Sequence, residues 1–256
     1  MVIRRIRRHV ENQNWFAVLI DLAIVVAGVF LGTQANNWNQ ARIDRSDAAE
    51  YRHEIIDDLK SDEVDLASRK AYYGAVRTNA IGALDALQSP NAPLAEPFLV
   101  DSYQASQVWL RPLTRTGYDE MVGAGLTRSI GSRETRSRLT AYYTQIKQFE
   151  VNVLGTTAFR ERLRRALPYA VQSAIRTKCG DRITKLPDGA QVATLPDRCS
   201  VGLSRAETED AVRKLKAADL VEDLTRHIAD IDQKLTGFDR FLRQAQDLRL
   251  HLQSLD

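Results

Sequence analysis

The chain carries two kinds of hydrophobic pattern, one short and continuous, the other long and periodic. From Trp15 to Gly32 the residues are almost uninterruptedly apolar, and Asp21 is the one ionisable side chain between Phe16 and Thr33. A helix of about 18 residues rises about 27 Å, close to the roughly 30 Å of a bilayer's hydrocarbon layer, so a transmembrane helix is predicted over 15–35. Residues 39–88 contain no proline, only Gly74 and Gly82, and place Ile55, Leu59, Leu66, Tyr73, Val76, Ala80, Leu84 and Leu87 at near-helical intervals. This predicts one long helix continuing out of the apolar segment.

Three prolines between Ser89 and Pro97 break that pattern. A short helix is expected from Phe98 to about Trp109, then a turn of helix from Gly117 to Val122, capped by Thr114 or Thr116 and stopped by Gly123 and Gly125. Ser132 suits the N-cap of a helix bearing Leu139, Tyr142 or Tyr143, Ile146, Phe149 and Val153, running to the neighbourhood of Pro168. Ser204-Arg-Ala-Glu207 reads as a capping box. Last, Val221, Leu224, Ile228, Ile231, Leu235, Phe238, Leu242, Ala245 and Leu252 alternate by 3 and 4, interrupted at Arg249, and predict a single apolar seam. No alternating strand pattern is visible. The expected fold class is therefore all-α: an N-terminal transmembrane helix, then an extracytoplasmic antiparallel helical bundle over 36–256 with a disulfide-closed loop at 179–199.

Charge sets the expected orientation. Arg4, Arg5, Arg7 and Arg8 precede the span against one Glu11, whereas Arg42, Asp44, Arg45, Asp47 and Glu50 mix signs after it. The positive-inside rule then places 1–14 in the cytoplasm and the bulk of the chain in the periplasm of a bacterial inner-membrane protein. Trp15 and Trp38 bracket the run at the two headgroup levels. The alternative is a cleaved signal peptide ending near Thr33-Gln34-Ala35; against it stand the length of the apolar run and the large polar residues that follow. Asp21, Gly28 and Gly32 share one helix face, with a Gly-x-x-x-Gly spacing that lets two backbones approach. That face suits self-association or a partner span; an interfacial Asp beside ordinary membrane-helix glycines is the plainer reading.

Net charge is +3 over 256 residues, and the first 34 residues supply +2 of it, which leaves too little positive charge outside for a nucleic-acid surface. The two cysteines, Cys179 and Cys199, flank the most loop-like stretch. In an oxidising compartment they predict a disulfide; free thiols would require the inverted topology.

Two stretches carry a resemblance. Asp21, Gln34, Asn36, Asn37, Trp38 and Asn39, around Gly28-Val-Phe-Leu-Gly-Thr-Gln-Ala-Asn-Asn-Trp-Asn, resemble the span and exit of a bacterial single-span family catalogued as domain of unknown function 6090. Thr114-Arg-Thr-Gly-Tyr-Asp-Glu-Met-Val-Gly-Ala-Gly-Leu-Thr-Arg-Ser-Ile130, followed by Arg138-Leu-Thr-Ala-Tyr-Tyr143, is similar to a second pattern of that family. Together they cover about a quarter of the chain and do not extend to the Cys179–Cys199 insert. The resemblance implies an anchored helical exported domain and no catalytic residues.

The remaining chemistry is sparse. Glu50-Tyr-Arg-His53 has the Glu-x-x-His spacing of di-iron bundles, but it is a single copy and His53 lies off the predicted core face. His227 follows Asp223 by four residues, a spacing of surface electrostatics more than of ligation. Arg160, Arg164 and Arg165, with Arg162, form the strongest basic cluster outside the span, either a patch for an anion or partner or a solvated helix face. Nucleophile elbows, zinc-protease motifs and nucleotide loops are missing, so no catalytic, cofactor or metal residues are assigned. The pattern points to a membrane-anchored interaction or sensory module; the competing expectations are an envelope enzyme around Tyr118, Asp119 and Glu120, and a structural spacer.

Overall fold

The computed structural model describes residues 15–89, 94–109, 111–187 and 191–255, with side chains throughout except at 15–18 and 152–154. The Arg4 to Arg8 cluster and the side chain of Trp15 lie outside this description. The chain is mostly helical and divides into two compact units, residues 1–50 and 51–256.

Helix α1, Trp15–Gln88, begins in the first unit and ends in the second as one continuous element. It ends where the sequence turns to Ser89-Pro90, because a proline cannot supply the next backbone donor. In the first unit every described side chain from Leu19 to Gln40 is exposed, and Leu19, Ile20, Leu22, Ile24, Val25, Val26, Val29, Phe30 and Leu31 are each between 43% and 66% accessible. This is one helix long and apolar enough to cross a membrane.

In the second unit α1 is followed by α2 (Glu96–Ala105), α3 (Thr116–Gly123), α4 (Arg133–Leu154), α5 (Ala158–Ala166), α6 (Tyr169–Cys179), α7 (Arg205–Ala217) and α8 (Val221–Gln253). Local chemistry sets several boundaries. Ser132 Oγ accepts from Thr135 N–H at 3.2 Å to cap α4. Ser204 and Glu207 close a reciprocal capping box on α7, as their spacing predicts. Glu96, in the first turn of α2, accepts from Ser200 Oγ and from the backbone N–H groups of Val201, Gly202 and Leu203, which ties the loop after the disulfide to that helix.

Leu59, Leu66, Tyr73 and Val76 of α1 share the core with Leu99 and Tyr103 of α2, Leu139 and Ile146 of α4, Leu163 of α5 and Ile231, Phe238 and Ala245 of α8. Cys179, the buried last residue of α6, is joined to Cys199. Within the bridged segment β1 (Arg182–Lys185) pairs antiparallel with β2 (Gln191–Thr194), Ile183 opposite Ala193. β2 rests on the core through Ala193, while all four residues of β1 are exposed.

Three expectations are corrected. The helix begun at Ser132 stops at Leu154, and Thr157 starts a separate α5 with its hydroxyl on Arg160 N–H at 3.4 Å. The short helix begins at Glu96, with Pro97 in its first turn, and ends at Ala105, four residues before Trp109. On α8 the buried line is Leu224, His227, Ile231, Lys234, Phe238, Phe241, Ala245, Leu248 and Leu252. It keeps the 3–4 alternation but takes His227, Lys234, Phe241 and Leu248 in place of Ile228, Leu235 and Leu242, which are only half-buried.

Candidate functional site

The second unit is organised around one face of α1 on which Asp58, Asp62, Arg69 and Tyr73 recur at helical spacing. These side chains hold the backbone at residue 109 and along 111–117, which is non-helical up to the start of α3 at Thr116 and runs antiparallel to α1. Tyr73 Oη accepts from Trp109 N–H at 3.2 Å. Arg69 donates to the carbonyl of Arg111. Asp62 Oδ1 accepts from Thr114 N–H at 2.9 Å, and Asp58 Oδ2 from Gly117 N–H at 3.0 Å. From the other side Glu150 of α4 accepts from Leu113 N–H at 2.6 Å. A buried backbone without a partner strand must find its hydrogen bonds among side chains, and here α1 supplies them in register.

The electrostatics follow from burial. Asp62 is almost fully buried; desolvation pushes its carboxyl up to about 7, although Thr114 N–H and the Tyr142 hydroxyl, 3.3 Å from Oδ2, pull it down and Asp65 and Asp58 push it further up. Desolvation raises Asp58 as well, against the Gly117 hydrogen bond. Asp65 and Arg69 form an ion pair at 2.7 Å with both side chains nearly inaccessible. Burying both charges is costly, and it is offset only while the hydrogen bonds around the pair are kept.

The two parts of the second stretch, 114–130 and 138–143, meet at this zipper. Thr114 and Gly117 are held by α1, Tyr118 stacks on Tyr143 with centroids 4.1 Å apart, and Tyr142 reaches Asp62. Gly117 is required by close approach: a Cβ there would lie 3.1 Å from Glu54 Cβ and 3.2 Å from Ile55 N. Of the three residues considered for catalysis, Tyr118 packs, Asp119 is gripped by Arg115 at 2.8 and 3.1 Å, and Glu120 is exposed. The Arg115 hydrogen bonds hold the Asp119 carboxyl below the usual carboxylate range.

The basic cluster is divided. Arg160 donates to Ser106 O, and Arg164 donates to Ser106 Oγ at 2.8 Å and to Gln107 at 3.3 Å while its guanidinium lies 3.6 Å from the Tyr103 ring centroid. Both turn inward and cap the carboxyl end of α2, where cations are favoured. Arg162 reaches Asp223 and the turn before α8. Arg165 alone of the three assigned residues faces outward, 78% accessible and 3.5 Å from Glu161.

His227 is a core residue, contrary to the surface pairing expected for it. Its Nε2 lies 2.8 Å from Ala105 O and its Nδ1 3.1 Å from Thr157 Oγ1, and its ring stacks on Phe159. The carbonyl accepts only, so Nε2 carries the proton and Nδ1 accepts from the threonine hydroxyl. Burial holds His227 below the usual histidine range, with Ala105 pulling the other way. Lys234, one heptad on, is also buried, its ammonium 5.4 Å from the Tyr73 ring centroid; burial lowers its pKa against the opposing pull of Asp230. Sequence reasoning missed both residues, although their seven-residue spacing in phase with Phe241 and Leu248 marks the alternative seam.

In the first unit Gly28 and Gly32 are open on α1, with nothing within 4 Å of an added Cβ. Asp21 is exposed on the same helix. Among the described residues no group of His, Cys, Asp or Glu is placed to hold a metal ion. What fold and site define together is a mostly helical protein with a long exposed apolar N-terminal helix, a disulfide and a side-chain zipper. No protein-family model, curated protein or solved structure matches the chain.

Proposed function

We propose that the chain is a single-span inner-membrane protein whose helical domain, residues 36–256, lies in the periplasm and works by binding rather than by turnover. The observation that carries this reading is the unbroken exposure of apolar side chains from Leu19 to Leu31. So long an apolar surface is not left to water, and a bilayer is the cover that fits its length. The Cys179–Cys199 bond supports an oxidising compartment for the domain, and the Arg4 to Arg8 cluster supports a cytoplasmic N-terminus. Membership of the single-span family that the exit and Thr114–Tyr143 motifs resemble belongs to the same proposal.

Asp21, Gly28 and Gly32 mark the face through which the span meets a second copy or a partner span. Binding in place of catalysis is favoured by how the polar residues are employed. Asp58, Asp62, Asp119, Arg160 and Arg164 each hold backbone or a neighbouring side chain, and no nucleophile and base converge among the described residues. Alkaline carbonate extraction of native membranes tests the anchor: the chain should stay in the pellet. Release into the supernatant would sink the reading.

A further inference from the structure

Between α4 and α8 lies a cavity of about 210 Å3, walled by Arg138, Ala141 and Tyr142 on one side and Gln244, Asp247 and Leu248 on the other. It holds one charge of each sign. Arg138 pairs with Glu134 of its own helix at 2.6 Å, and both side chains are largely exposed, so that pair is worth little and is readily exchanged. Asp247 makes no ion pair among the described residues. Gln244 donates through Nε2 to Gln145 Oε1 at 3.3 Å, which leaves its own carbonyl oxygen buried without a donor. A buried acceptor in that state gains from any donor that reaches it.

We propose that this cavity binds a small zwitterion, a free α-amino acid. Its carboxylate lies on Arg138, its ammonium lies between Asp247 and the Gln244 carbonyl, and its side chain rests against Ala141 and Leu248. A turn of the Gln244 amide brings the carbonyl to the ligand. The volume admits a single amino acid without selecting the length of its side chain, so the charges and not the size set the specificity. The walls set the charge, because a site with one cation, one unpaired carboxylate and a spare acceptor favours a molecule carrying both signs over one carrying either. This deepens the binding-module reading by naming the ligand class, and it holds whichever side of the membrane the domain occupies.

The test is calorimetric titration of the full chain in detergent micelles with L-alanine, ethylamine and propionate. L-Alanine should saturate, and the two singly charged probes should bind at least about tenfold more weakly. Asp247→Asn and Arg138→Gln should each weaken L-alanine at least about tenfold. Ala141→Trp, at an exposed position, should fill the cavity and abolish binding with the melting temperature unchanged. Absence of saturation by about 10 mM L-alanine overturns the proposal, as does binding that survives Ala141→Trp or that ethylamine matches. Such a failure leaves membrane anchoring standing, since carbonate extraction tests that separately.

Discussion

Asp62 and Thr114, 52 residues apart in sequence, are joined by a 2.9 Å hydrogen bond from the Thr114 N–H to Asp62 Oδ1, and the bond sits where burial lifts the carboxyl to about 7. The group therefore binds a proton more readily folded than unfolded. Its contribution to stability is complete below the ordinary aspartate range near 3.8 and is lost as pH rises through about 7. Asp62→Asn keeps an acceptor for Thr114 and a polar partner for Tyr142 without the charge. The variant should melt close to the parent at pH 3 and above it at pH 8, by on the order of a few kcal/mol. Equal pH slopes for the two proteins would contradict the assignment.

His227 acts with the opposite sign. Its pKa is lowered by burial, so the stability it contributes is present above the ordinary histidine value near 6.5 and lost as pH falls through its folded value. His227→Gln should cost about 1–2 kcal/mol at pH 8 through the loss of its place between Ala105 O and Thr157. That gap should shrink toward pH 5 in denaturant titrations. A gap that widens in acid would mean the ring is charged in the folded protein.

Two glycines of α3 separate packing from helix propensity. Gly117→Ala forces a methyl group against the α1 backbone at Ile55 and should destabilise by about 1–3 kcal/mol. Gly123→Ala, with nothing within 4 Å of the new methyl, should be neutral or stabilise by up to about 1 kcal/mol. The order of the two midpoints in guanidinium is the measurement, and its reversal would remove the close approach of α3 to α1.

The basic cluster gives a second paired test. Arg164→Ala takes away a guanidinium that stacks on Tyr103 and bonds Ser106 and Gln107, and should cost about 2 kcal/mol. Arg165→Ala, at an exposed side chain, should stay within about 0.5 kcal/mol. Equal effects on melting would mean that Arg164 does not hold the end of α2.

Features governed by neighbours a few residues away were legible in the sequence. The unbroken helix through 39–88, the Ser132 cap, the Ser204-Glu207 box and the Cys179–Cys199 bond follow from spacing, caps and residue type. The zipper was hidden because each of its bonds joins an α1 side chain to backbone tens of residues away, and nothing local distinguishes Asp62 from the exposed Asp57. The break at Gly155 was missed because helix-compatible residues surround it and Thr157 caps α5 only once the turn exists. On α8 two apolar seams compete. Ile228, Leu235 and Leu242 make the more hydrophobic one, yet His227 bonding Ala105 and Phe241 packing on Phe149 favour the other. The hairpin in the bridged loop shows only a weak alternation, since all of β1 faces solvent.

The central claim is that the apolar segment of α1 crosses a bilayer once and leaves the helical domain outside the cytoplasm. Paired reporter fusions after Asp256 test it most directly: alkaline phosphatase, active only when exported, and β-galactosidase, active only in the cytoplasm. The account predicts high phosphatase and background galactosidase activity from cells that retain the fusion in the membrane. High galactosidase activity with silent phosphatase would contradict it, and would also take away the oxidising compartment on which the Cys179–Cys199 bond depends.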